Sequence, residues 1–191
     1  MTGDDVERES VTEVGDGSAR VSKPDPPAPA ELYDSAPDTL AHIEQVRELL
    51  EDVIGNLHYR ASVHDASKLR DPEKAVFDEF SPKLATSTYG SDEYKQFLVG
   101  MGEGLNHHYA NNDHHPEHWQ HGIADMDLIQ VIEMLADWKA ATLRHENGSL
   151  SRSIAQNAER FEYGVEFYRL LWNTADRMGW LEPDATPTPP A

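Results

Sequence analysis

The chain contains no cysteine, which removes disulfides, thiolate metal sites and cysteine nucleophiles together. No apolar run approaches the roughly 18 residues that span a bilayer. The opening Met1-Thr2-Gly3-Asp4-Asp5 has neither the basic start nor the apolar run of a secretory signal. A cytoplasmic location with no membrane partner is the expectation. Basic residues are few: 16 Lys and Arg stand against 35 Asp and Glu, a net charge of −19. A surface of that sign repels nucleic-acid backbones at long range, so neither DNA nor RNA is an expected partner. A small anionic substrate stays open, because a metal or a local lysine inverts the field inside a pocket.

Strands are missing too, since no segment alternates apolar and polar residues. Spacings of three and four recur instead. After a capping Asp38 come Leu40, Ile43, Val46, Leu50, Val53, Ile54 and Leu57, with Gly55-Asn56 as the natural break before a second short helical piece. Asp71-Pro72 opens a short helix through Phe80, and Ser91 caps one that reaches His107-His108. From Asp125 to about His145 the pattern is apolar nearly all round, as in a central helix, leaving a polar stripe of Gln130, Glu133, Asp137 and Arg144. Ser149 or Ser151 caps a further helix to about Arg160, and a last one runs from about Tyr163 to Met178. Phe161, Tyr163, Phe167, Tyr168, Leu171 and Trp172 make these last helices rich enough to pack against a partner, which leaves a homo-oligomer open. Residues 1 to 36 are acidic and then proline-rich, and 182 to 191 read the same way, so both are expected to be disordered tails. The fold class is all-α, with one helical domain over residues 37 to 181.

Six of the ten histidines fall between Asn106 and His121: His107, His108, His114, His115, His118 and His121. Imidazole is the commonest metal-ligating side chain and is rarely concentrated like this for packing alone. A solvated histidine-rich loop is the alternative. Two anionic partners elsewhere in the chain suit a metal: His64-Asp65 and the buried-stripe pair Glu133 and Asp137. The other account of that stripe is a wet helix edge, with Glu133 or Asp137 paired to Arg144. His42 enters the set only if the chain reverses near Gly55. One straight helix would hold His42 and His64 about 33 Å apart, whereas a reversal gives legs of about 18 Å and 12 Å that return side by side.

A histidine, a His-Asp doublet, further histidines and a late aspartate, all on helices, resemble the HD superfamily of metal-dependent phosphohydrolases. His42, His64-Asp65 with Lys68 three residues on, the histidines from 107 to 118, and Asp137 stand in that order. Residues 38 to about 145 more closely resemble a small bacterial and phage family catalogued as a domain of unknown function. The likeness lies in His64-Asp65-Ala66-Ser67-Lys68, in His107-His108 with Asn111 and His114-His115, and in Glu133-Met134-Leu135-Ala136-Asp137-Trp138.

The resemblance implies an HD-like helical domain holding one or two divalent metals. His42, His64, Asp65 and Asp137 would be ligands, joined by His107 or His108 and by His114 or His115. A thiolate-free, imidazole-rich set suits Mn, Fe, Co, Ni or Zn better than Mg. The implied chemistry is attack of a metal-activated water on phosphorus. Asp65 would anchor the metals, Lys68 would hold a phosphate oxygen, and Glu133 would orient a ligand histidine or carry a proton. Lys68 also fits a plain surface lysine after a helix end. The expected function is hydrolysis of a small phosphorylated molecule, with nucleotides as the leading class. An HD-type di-iron oxygenase and a non-catalytic helical metal-binding or interaction module are the alternatives. His118 and His121 need not bind metal, and His58 and His145 read as ordinary surface or interface residues.

Overall fold

The structure, a computed structural model, describes residues 33–88, 91–144 and 147–190. Nearly all of the expected N-terminal tail, and His145, lie outside the described residues. Among these residues there is no strand. Six α-helices follow one another: α1 (Ala36–Val63), α2 (Glu73–Thr86), α3 (Asp92–Asn111), α4 (Leu128–Thr142), α5 (Leu150–Phe161) and α6 (Val165–Arg177). The all-α, single-domain architecture read from periodicity is the one observed.

α3, α4 and α5 start at side-chain caps, whereas α1 starts after Ser35, three residues ahead of the expected cap Asp38, and α2 after Pro72 rather than Asp71, neither with a side-chain cap bond. Ser91 Oγ accepts the Tyr94 N–H at 3.1 Å, and Ser149 does the same for Arg152. Asp127 and Gln130 form a reciprocal capping box that opens α4 three residues after the sequence estimate of Asp125. The core lies where α4, α5 and α6 meet, with Met134, Leu135, Leu150, Ile154, Tyr168 and Leu171 all nearly inaccessible. Trp138 stacks on Phe161 with centroids 6.3 Å apart, and the Tyr163 hydroxyl donates to the Ile154 carbonyl at 2.6 Å. Tyr163, Tyr168, Leu171 and Trp172, which the sequence offered as partner-facing, are therefore taken up in the chain's own core. Because Ile154 is wholly enclosed, Ile154→Ala is expected to cost about 2–5 kcal/mol, read as a lower denaturation midpoint in urea at unchanged slope.

α2 and α3 form an antechamber to the site. They touch directly, since a Cβ on Gly104 would lie 2.6 Å from Val76 Cγ2 and one on Gly100 would lie 2.8 Å from the Phe80 ring. That close approach sets where the last turn of α3 points.

The largest departure from expectation is α1. It passes Gly55 without a break and ends only at Val63. One glycine in a helix interior costs about 1 kcal/mol, which a 28-residue helix absorbs. The turn comes instead at Asp65, whose φ of 56° is left-handed. Residues 182–190 have no helix but are tied down: Glu182 accepts the Leu150 N–H at 2.7 Å, and the Thr188 N–H donates to the Tyr168 hydroxyl at 2.8 Å. No helix among the described residues is long and apolar enough to cross a membrane.

Candidate metal centre

Four separate pieces of chain deliver the site. α1 carries His64 at its C-terminal boundary. Asp65 then takes the left-handed conformation, which aspartate tolerates better than most residues, and starts the short 3₁₀ turn Ala66–Leu69. That turn folds Lys68 back so that its Nζ donates to Asp65 Oδ2 at 2.5 Å. The last turn of α3 supplies His107 and His108, and the loop after Asn112 supplies His114 and His115. α4 adds Glu133 and, one turn on, Asp137 from the same face.

The decisive feature is what faces what. His108 Nδ1 lies 2.9 Å from Glu73 Oε2; a carboxylate only accepts, so that nitrogen carries the proton and Nε2 is left with a lone pair. His114 Nδ1 lies 3.3 Å from Glu133 Oε1, which leaves its Nε2 on the Asp65 side. His108 Nε2 and His114 Nε2 face Asp65 Oδ1 at 3.4 Å and 3.7 Å. Asp65 Oδ1 and His114 Nε2 are both buried with no hydrogen-bond partner. His115 Nε2 joins them 2.9 Å from His108 Nε2, and one donor atom from each of Asp65, His108, His114 and His115 lies within 4.8 Å of the others. Acceptors aimed at one another repel unless a cation lies between them. The set fits a divalent metal, and Glu73–His108 and Glu133–His114 are the carboxylate–imidazole pairs that orient ligand histidines.

Asp65 has a second face. His64 Nε2 stands 3.5 Å from Asp65 Oδ2 and 3.6 Å from Asp137 Oδ1, and His64, Asp65 and Asp137 form a second group within metal-binding distance. His64 Nδ1 bonds Glu133 Oε1 at 2.7 Å. One aspartate thus presents one oxygen to each group.

The electrostatics divide the histidines. The carboxylates of Asp137 and Glu133 raise His64 to about 10. Burial, with His114 and His108 beside it, pushes His115 down to about 3, and burial likewise lowers His108 and His114. Asp137 is buried, which alone would raise it, yet its contact with His64 brings it to about 2. Lys68 holds Asp65 below the usual carboxylate range against the same effect of burial. Neutral imidazoles therefore gather on the Asp65 Oδ1 side and ionised carboxylates on the Oδ2 side.

Several contributors were not singled out from the sequence. Glu73 is fully buried and accepts from His107 (2.7 Å), His108 (2.9 Å) and Ser67 (2.8 Å). Its Asp-Pro-Glu-Lys setting signals a helix start, and only the α2–α3 packing turns it toward the histidines. Arg60 pairs with both Glu133 and Asp113, so the partner of the α4 stripe is Arg60 rather than Arg144. Gln130 donates to Asp113 at 2.8 Å, and Asn112 donates to Ser67 at 2.7 Å. His107 bonds Glu73 and belongs to none of the three metal-sized groups, the third being His64, His114 and Glu133, whereas His114 and His115 both lie in the first. His118 faces the Tyr109 carbonyl and His121 faces Asp125.

A family model described as "Family of unknown function (DUF5662)" matches residues 31–183. The chain belongs to that family. No curated protein and no solved structure matches it. In this DUF5662 chain the expected ligand His42 is not brought to the site: the unbroken α1 puts 22 residues between it and His64, about 33 Å along the axis. His64, Asp65, His108, His114, His115 and Asp137 converge in space without His42. His42→Ala is accordingly expected to leave metal content unchanged by elemental analysis; a fall would mean that α1 bends in solution.

Beside the cluster lies a cleft of about 450 Å³ lined by His64, His114, Glu133, Asn111, Tyr59 and Arg70. Arg70 makes no ion pair among the described residues. Another cleft, around Asn147, Ser149 and Arg152, shares no residue with the cluster and contains no histidine.

Proposed function

We propose that this protein is a metal-dependent hydrolase of a small phosphorylated molecule, with nucleotides as the substrate class to test first. The observation that carries the proposal is the convergence of Asp65 Oδ1, His108 Nε2 and His114 Nε2 in one group, where Asp65 Oδ1 and His114 Nε2 are buried with no hydrogen-bond partner. Asp65, His108, His114 and His115 would hold one ion, and His64, Asp65 and Asp137 a second. A divalent metal so held supplies Lewis acidity and lowers the pKa of a bound water. Glu133 acts as a positioning residue, because one oxygen fixes two histidines while the other is held by Arg60. Lys68, also 4.7 Å from the Phe77 ring centroid, and Arg70 in the adjoining cleft give an acidic chain the local positive charge that a phosphoryl group needs. The imidazole-rich ligand set favours Mn, Fe, Co, Ni or Zn.

Anaerobic purification, elemental analysis and a panel of nucleoside phosphates and simple phosphoesters test this directly. One or two transition-metal ions per chain and phosphate release abolished by chelation are expected. Metal whose removal only lowers the melting temperature, without any hydrolysis, would replace the reading with a structural metal. An iron-specific absorption on exposure to air would replace it with the oxygenase. Protein with no affinity for any of these ions would end it.

A further inference from the structure

From Tyr33 to Asn56 every residue is exposed. That stretch includes Leu40, Ile43, Val46, Leu49, Leu50, Val53 and Ile54, which are 39 to 66% accessible. The reason is geometric. Arg60 pairs with Glu133, His64 lies against Glu133 and Asp137, and Leu57 and Ala61 share a cleft with Ala136 and Ala140, so α1 meets α4 through its C-terminal turns. The first 19 or so residues of α1, about 28 Å of helix, lie N-terminal to those contacts. An isolated helix of that length is marginal in water, and its stability ordinarily comes from packing an apolar face. Here the apolar face has nothing on it among the described residues.

We infer that this arm of α1 pairs with α1 of a second copy of the chain, making a coiled-coil-like dimer contact. Ile43, Val46, Leu50, Val53 and Leu57 alternate at three and four, the repeat whose side chains interlock with those of an identical helix. With Ile43 as a first heptad position, Val46 and Val53 are fourth positions and Leu50 and Leu57 first positions. The flanking positions Leu40, Leu49 and Ile54 are apolar too and widen the seam. Charge placement selects the occupant. The carboxylates Glu44, Glu48, Glu51 and Asp52 all fall on the second, third and sixth heptad positions, away from the seam, so two like-charged copies meet without opposing them. Residues 1–32 of the same chain are a poor cover: apart from Met1 their large apolar side chains are four valines and Leu32, among eight Asp and Glu. The contact is independent of the metal reading, since none of its residues belongs to the centre.

Light scattering of the full chain after size exclusion, over an about hundred-fold range of concentration, decides the matter. The expected mass is twice the 21.5 kDa of one chain. Leu50→Glu with Val53→Glu should return it to a single chain, while Gln45→Glu on the outer face should leave the dimer intact. A near-UV circular dichroism spectrum like that of the wild type, which reads the core residues Trp138 and Trp172, shows that the body of each variant is folded. A single-chain mass for the wild type throughout the range overturns the inference, as does a dimer that survives the double substitution. A wild-type monomer that associates only when residues 1–32 are removed also overturns it, and makes that segment the cover.

Discussion

Asp65→Asn is expected to lower metal affinity and phosphate release by more than about 100-fold each, the larger end of what ligand-sphere changes cost. Asp65 is the anion common to both groups: Oδ1 faces His108 and His114, and Oδ2 faces His64 and Lys68. Without its charge, the Oδ1 group is three imidazoles with no anionic ligand, and the Oδ2 group keeps only His64 and Asp137. Asparagine is the informative replacement, because it also tolerates the left-handed backbone. Alanine would add a backbone penalty of about 1–2 kcal/mol and mix a folding effect with a chemical one. Calorimetric titration with Zn or Mn and a chelator-sensitive phosphoesterase assay are the measurements. An Asn variant that keeps both would remove Asp65 from the centre.

Glu73→Ala should damage both the fold and the site. Glu73 is buried without solvent access and is the acceptor for His107, His108 and Ser67. Its removal leaves the buried His108 and the half-buried Ser67 without their acceptor, a loss of about 3 kcal/mol. For a domain of this size that corresponds to a melting temperature lower by about 6–12 °C. It also frees His108 to rotate, so metal affinity should fall by a further 10–100-fold or so. Glu73→Gln keeps one acceptor oxygen and should fall between the two on both readouts. A Glu73→Ala protein that melts at the wild-type temperature would show that the buried carboxylate is not holding α2, α3 and the 3₁₀ turn together.

These two residues mark how far the chain could be read without coordinates. His64-Asp65 is conspicuous as a doublet near other histidines, and Asp137 stands out as a carboxylate on a mostly apolar helix. Glu73 carries no such mark. In sequence it is a first-turn acid after a proline, a common and usually solvated position, and it becomes buried only because Gly100 and Gly104 let α3 close on Phe80 and Val76. Arg60 was equally silent, being one of two arginines on an acidic helix until Asp113 and Glu133 arrive on either side of it. His42 erred in the opposite direction. Its candidacy depended on a break at Gly55, and the weak helix-breaking tendency of one glycine was outweighed by a helix that continues to Val63.

By itself the sequence determined the helical class, the approximate spans of α3 to α6 from their caps and periodicity, the absence of thiolate chemistry and the strongly acidic surface. It also named a pool of imidazoles and carboxylates suited to a transition metal. These properties are local: a cap acts within one turn, and ligand type belongs to the single side chain. Only the tertiary structure decided which of that pool meet, with His108, His114 and His115 on one oxygen of Asp65, His64 and Asp137 on the other, and His42 and His107 on neither. Convergence to within 4.8 Å depends on the crossing of helices far apart in the chain and on one left-handed residue, Asp65, and no residue spacing encodes those two things directly.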